Sequence, residues 1–269
     1  MKNLHFFQSI KTKLIFLFLL IGLIPMIFVG YRSYSIFSQS THKSKASQLI
    51  DLAKHTIDRI DILLDTCLDD ATAWSKTVYV KTAIDIGGGQ AGCDDFFKTL
   101  AKNYSKYYLI MLFDKDGKCI SASDKSLIGG HLDKADFKIF KKALAGTSCV
   151  RDFYSCNFVK KAFPKSNGWT VAFYAPVIIN GKAEGAISTR LRWPRIQSIL
   201  DQIKVGKSGY AYLANKNGDL IAHPNHKLYG VNLGTKLNLP QLVKAFQEHM
   251  QGTITYEFRN VKPIILITS

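Results

Sequence analysis

A chain of 269 residues, 47% hydrophobic and 12% aromatic, can bury a sizeable core in one to two domains, which excludes a disordered polymer. Its 36 Lys and Arg against 20 Asp and Glu give a formal net charge of +16, a balance that suits an anionic partner such as nucleic acid, anionic lipid or an acidic ligand. The basic residues are scattered, and no dense Lys/Arg run carries aromatics between, so a solvated basic surface facing acidic headgroups is preferred to a nucleic-acid footprint.

Residues 14–31 carry no charge, and a helix of that length spans a bilayer core with little tilt. Lys2, Lys11 and Lys13 precede the run and Arg32 follows it. A short basic N-terminus stays on the cytoplasmic side, so the expectation is a single-pass anchor in the inner (cell) membrane with residues after about 32 outside. Pro25 is tolerable in lipid. A cleaved signal peptide is the alternative, but no small-x-small site follows the run.

Residues 33–76 predict one continuous helix. Leu49, Ile50, Ala53, Ile57, Ile60, Leu64, Cys67, Leu68, Ala71 and Trp74 recur at spacings of three and four, with no Gly or Pro between. Such a stalk would leave the membrane and pack against a domain and a second copy of itself; two shorter helices with an unmarked break is the alternative. Gly87-Gly88-Gly89 marks a loop, not a phosphate cradle, because no Gly-Lys-Ser/Thr follows it. Gly206-Lys207-Ser208 occurs later, but a Walker loop would need glycine where Asp201 stands.

Residues 108–113 and 119–123 predict strands joined at Asp116-Gly117, a hairpin signal. Residues 132–145 read as a helix stopped by Gly146. Residues 150–159, 169–179 and 182–192 read as further strands, the last two joined at Asn180-Gly181. Trp193-Pro194 ends the sheet, and residues 196–203 form a short helix. The pattern then restarts: residues 113–122 resemble residues 214–223 position for position, each an apolar strand, a polar turn ending in Gly, and a returning strand. Two copies of one α+β unit follow from this.

No Cys-x-x-Cys pair occurs among Cys67, Cys93, Cys119, Cys149 and Cys156, which removes zinc ribbons, thioredoxin-like sites and c-type haem attachment. Cys149 and Cys156 flank a short apolar stretch and are the candidate disulfide pair; small core residues is the alternative. His223 and His226 have no obvious acidic or thiol partner for a metal, and His223-Pro224 reads as a strand-end turn. A nucleophile elbow, paired carboxylates or a metal cluster would mark an exported hydrolase; none is found, and no enzyme activity and no cofactor are expected.

Gly206-Lys207-Ser208-Gly209-Tyr210-Ala211-Tyr212-Leu213, then Asn217-Gly218-Asp219-Leu220-Ile221-Ala222-His223-Pro224, then Gly230, resemble the membrane-proximal module of double Cache sensor domains of the methyl-accepting chemotaxis protein type. The resemblance runs from the anchor through the long helix and both modules; the first module matches through its strand order. It implies an α+β fold: an N-terminal transmembrane helix (residues 1–32 with the cytoplasmic N-terminus), a long stalk helix (33–78), a membrane-distal Cache module (79–200) and a membrane-proximal one (201–269), both PAS-like with antiparallel sheets. It also implies the ligand-sensing part of a chemoreceptor, or alternatively of a histidine kinase or diguanylate cyclase, working as a homodimer on a small-molecule ligand and binding no nucleic acid. Residues like Ile254-Thr255-Tyr256-Glu257-Phe258 are followed in such proteins by further strands, so the second module is expected to be incomplete at Ser269.

In that family the distal module holds the ligand. Amino-acid-binding members carry Arg-x-Trp-Tyr on the helix, a Tyr on the next strand and an Asp late in the sheet. Here Phe137, Ile139 and Phe140 stand at the first three, Tyr154 matches the strand Tyr, and Arg190 occupies the Asp position. The expected site is therefore Tyr154, Arg190, Phe140, Tyr174 and Phe137, with a carboxylate as ligand rather than a free amino acid. Alternation along residues 186–192 independently puts Ser188, Arg190 and Arg192 on one face, where an arginine suits a carboxylate. Pairing of Arg190 with an internal acid such as Asp152 is the alternative.

Overall fold

The computed structural model describes residues 10–88, 91–205, 209–248, 252–255 and 264–267. Gly89, Gly206, Lys207, Ser208, Tyr256, Glu257, Phe258 and residues 261–263 and 268–269, all used above, lie outside the described residues. Two compact units are present, Met1–Ala53 with Gln251–Thr268, and Lys54–Met250.

The first unit holds the N-terminal part of helix α1 (Ile10–Ser75). Its stretch Lys13–Ser35 is long and apolar enough to cross a membrane, and none of the residues in its most apolar window is buried. Leu14, Phe18 and Ile21 are among its exposed side chains, which suits a lipid-facing helix and no water-facing one. Pro25 lies inside α1 without ending it. The rest of this unit is an antiparallel pair whose strands appear last in the chain.

In the second unit the C-terminal part of α1 shows why residues 54–75 are spaced as they are. Ile60, Cys67, Ala71 and Trp74 are buried, with Leu63, Leu64 and Leu68 packed beside them. α1 is unbroken through residues 48–74. α2 (Val78–Asp85) and α3 (Ala91–Asn103) follow, then β1 (Tyr107–Asp114), β2 (Cys119–Ala122), α4 (Lys134–Leu144), β3 (Cys149–Ser155), α5 (Asn157–Ala162), β4 (Trp169–Ile179) and β5 (Lys182–Leu191). The strands make one antiparallel sheet in the order β2-β1-β5-β4-β3. Ile110, Leu112, Phe173, Ile187 and Leu191 face the core shared with α1–α3, whereas Leu109, Met111, Phe113 and Ala186 face the core under α4. A sheet covered on both faces favours near-continuous apolar strands, which β1 and β4 have, whereas β5 buries Ser188, Thr189 and Arg190 as well.

Both hairpin signals are realised. Gly117 has φ +76°, and Asn180 and Gly181 have φ 50° and 80°, the left-handed pair that a tight two-residue turn demands. Past Ser155 the expected strand fails: β4 begins at Trp169, which pairs with Ser155, so residues 157–162 have no partner strand and coil into α5 instead. The cysteine pair is also not formed. All five thiols are free, four of them buried, and burial pushes Cys93 and Cys119 up to about 11 and about 12, which makes them inert core residues.

Beyond α6 (Pro194–Leu200), which starts at its proline rather than at residue 196, come β6 (Lys204–Val205), β7 (Gly209–Tyr210), β8 (Leu213–Ala214), β9 (Leu220–Ala222) and α7 (Pro240–Gln247). The first unit's pair is β10 (Gly252–Thr255) and β11 (Ile264–Ile267). The repeat read from the sequence is a repeat of hydrogen bonds. Asp114 Oδ1 accepts from the N–H groups of Asp116 and Lys118; Asn215 Oδ1 accepts from those of Asn217 and Asp219. Asp124 and Asn225 each cap a short 3-10 turn. A Cβ on Gly117 would strike Phe137, and one on Gly218 would strike Val243: each glycine lets a helix side chain close over its turn.

Candidate functional site

Asp133 caps α4: its Oδ1 accepts the N–H of Asp136 at 2.7 Å, which fixes the first turn. Asp136 then points its carboxylate onto the sheet and is 1% exposed. Across the sheet, Arg190 on β5 lies opposite Ala172 on β4, and Ala172 opposite Arg151 on β3. The small side chain between the two arginines leaves room for the carboxylate above it. Arg151 and Tyr154 both reach it because the β3 register shifts between them.

Asp136 Oδ1 accepts from Tyr174 Oη at 2.6 Å and from Tyr154 Oη at 3.1 Å, and lies 2.7 Å from Arg151 Nη1. Its Oδ2 lies 3.2 Å from Tyr154 Oη and 3.8 Å from Arg190 Nη2. Arg190 Nη2 donates to Tyr174 Oη at 3.0 Å, so guanidinium, phenol and carboxylate form a relay. Arg190 Nη1 donates to Ser188 Oγ and to the Thr189 carbonyl. Arg190 is fully buried, and its Nε has no partner. Arg151 lies flat on Tyr154, 3.5 Å from the ring centroid, and also reaches Asp133 at 3.3 Å.

Burial pushes the Asp136 carboxyl up, but the Arg190 charge, the Tyr174 hydrogen bond and Arg151 outweigh it and hold the group below the usual carboxylate range. Burial drives the Tyr154 and Tyr174 phenols far above their ordinary value, so both remain donors. The carboxylate therefore stays charged and takes three donors, Tyr174, Tyr154 and Arg151, with the Arg190 guanidinium 3.8 Å away as a second cation.

Three of the five expected residues, Tyr154, Tyr174 and Arg190, meet at this carboxylate; the Phe140 ring stands behind them, edge-on to Tyr174 at 6.1 Å. Phe137 sits further out, stacked on Phe140 at 5.8 Å. Asp152 is not the partner of Arg190: it is exposed and accepts from the N–H of Phe153. Asp136 and Arg151 were not anticipated. His223 forms a turn: Nδ1 accepts from the N–H of Asn225 at 2.9 Å, and Nε2 lies 3.3 Å from Tyr210 Oη. Among the described residues, no group of three or more His, Cys, Asp or Glu is placed to hold a metal.

A family model described as Cache domain (dCache_1) matches residues 37–266. The methyl-accepting chemotaxis protein McpB of Bacillus subtilis is 24% identical over 257 residues, covering 94% of this chain and 36% of that protein. The chain thus spans about a third of the length of this relative. The ligand-binding domain of the Pseudomonas fluorescens chemoreceptor CtaA, solved with L-isoleucine, superposes with a TM-score of 0.59 at 15% identity, over 84% of this chain and 86% of that one. The sensor domain of the V. cholerae histidine kinase DctB superposes with a TM-score of 0.55 at 16% identity, over 74% and 77%.

Proposed function

We propose, from the premise that the chain belongs to the Cache domain family, that it is the extracytoplasmic ligand-sensing part of a bacterial chemoreceptor and takes a small organic acid in a distal module, residues 79–200. In this reading residues 1–32 anchor it as a single-pass protein in the cell membrane, residues 33–78 form the stalk of a homodimer, and residues 201–269 belong to the proximal module. It is a sensor and not an enzyme.

The observation that carries the ligand class is the pair of guanidinium groups at Asp136. Its oxygens already take Tyr154, Tyr174 and Arg151, with Arg190 beside them. An ammonium ligand would be repelled there by two guanidinium groups already paired with the carboxylate. An anion has more to gain. Arg190 Nε is buried and unpartnered, and Arg151, with its side chain 17% exposed, stands at the mouth. An anionic group contacting both would answer an unmet buried donor and form charge-assisted hydrogen bonds. Phe140 and Phe137 then supply apolar walls, and Tyr154 a hydroxyl to orient the ligand.

A histidine kinase sensor is the second reading, favoured by the likeness to the DctB sensor domain. A hybrid test separates the two. Residues 37–266 replace the matching segment of McpB in one hybrid and the sensor domain of a histidine kinase in another. The chemoreceptor hybrid is expected to give directed swimming in gradients of short organic acids. Response only in the kinase hybrid would reverse the assignment.

A further inference from the structure

Beside Trp193 lies an open cleft of about 510 Å³, lined by none of the residues that contact Asp136. Its walls come from separate parts of the chain: Tyr108 on β1, Phe163 after α5, Trp169 on β4, Trp193 ahead of α6, and Tyr229 after the second 3-10 turn. Asp201, at the end of α6, is its acidic residue.

We propose that this cleft is a second ligand site, for a small organic cation of the alkylammonium or quaternary ammonium class. Aromatic faces attract cations through the ring quadrupole, and more strongly when water is excluded. Two rings of the cleft already show this: the Arg192 guanidinium lies 4.8 Å from the Tyr108 centroid and 5.1 Å from that of Phe163, tethered by Nε to the Tyr107 carbonyl. Trp169, stacked on Phe153 at 4.7 Å and 11°, also lines the cleft. The polar wall is spent inward. Tyr229 Oη donates to Gln197 Oε1 at 2.7 Å, Gln197 Nε2 donates to Asp201 Oδ1 at 2.6 Å, and Trp193 Nε1 donates to the Ile221 carbonyl. Ring faces and the Asp201 carboxylate, held in place by this chain of bonds, are what this wall offers a ligand, with His226 beside Tyr229.

Asp201 sets a negative charge among the cleft's rings, with Lys165 and His226 also in the lining and Arg192 stacked on Tyr108 and Phe163. Burial, and after it the Asp201 charge, push the Tyr229 phenol up to about 12. The basic groups nearby do not fill the role of ligand: Lys165 is on the exposed rim, and Arg192 is held beneath Tyr108 and Phe163. A cation seated here would touch α6 and the turn carrying Tyr229 together, tightening a junction that Tyr229 and Gln197 already bridge.

The test uses the full chain in lipid nanodiscs, titrated with choline and with 3,3-dimethylbutanol, its uncharged isostere, following tryptophan fluorescence and heat. Choline is expected to saturate and to bind about tenfold or more tighter than the isostere. Asp201→Asn, an exposed and nearly isosteric change, is expected to weaken choline about tenfold and leave the isostere unaffected. Equal binding of the two compounds by the unaltered chain, absence of saturation by choline, or an unchanged choline affinity in Asp201→Asn would each overturn the assignment.

Discussion

Replacing Asp136 by alanine is expected to cost about 3–5 kcal/mol of folding stability, because removing one partner of a buried ion pair strands the other. Here the stranded group is Arg190, which has no access to water. Tyr174 and Tyr154 lose their acceptor at the same time, and Arg151 keeps only Asp133. Denaturant unfolding of the full chain in detergent, followed by tryptophan fluorescence, measures the loss. Asp152→Ala serves as control, since Asp152 is exposed, and should stay within about 0.5 kcal/mol of the parent. The pH dependence has a definite sign. The folded Asp136 carboxyl titrates below its ordinary range, so its contribution is complete above about pH 3.9 and lost as pH falls through the lower folded value. The gap between parent and variant should therefore close in strong acid.

Replacing Arg190 by alanine is expected to weaken binding of an organic acid by about one to two decades, the equivalent of a lost charge-assisted pair worth about 1.5–3 kcal/mol. The same change frees Tyr174 Oη and Ser188 Oγ of their donor, so stability falls as well, and melting without ligand must be recorded beside affinity. Arg190→Lys separates the effects. It keeps a charge near Asp136 but lacks the planar fork and the Nε donor, so melting should recover further than affinity. Unchanged affinity in both variants would reduce Arg190 to the structural partner of Asp136.

How far the sequence led can be judged at these residues. Strand β4 was legible because burial on both faces imposes a long apolar run, and β5 because Asn180-Gly181 fixes the turn that leads into it. Alternation along β5 placed Ser188 and Arg190 on one face, where they lie. The partner of Arg190 was sought at Asp152, near Tyr154 in the chain, but that side chain points outward. The true partner, Asp136, reads in sequence as an ordinary first-turn acid favoured by the helix dipole, and only the packing of α4 on the sheet turns it inward. Arg151 was hidden by the register shift before Tyr154, since strict alternation puts residues three apart on opposite faces. The repeated turns at Asp114 and Asn215 were legible because side-chain hydrogen bonding to the backbone is local.

Calorimetric titration of the full chain with short carboxylic acids and with amines of matching length, at one ionic strength, tests the ligand assignment most directly. Two arginines at Asp136 and an unmet Arg190 Nε predict that at least one acid binds and that, in the Asp201→Asn chain whose cation cleft is disabled, its amine counterpart does not. An amine that binds more tightly than every acid at the Asp136 site, displaced by no carboxylate, would contradict it.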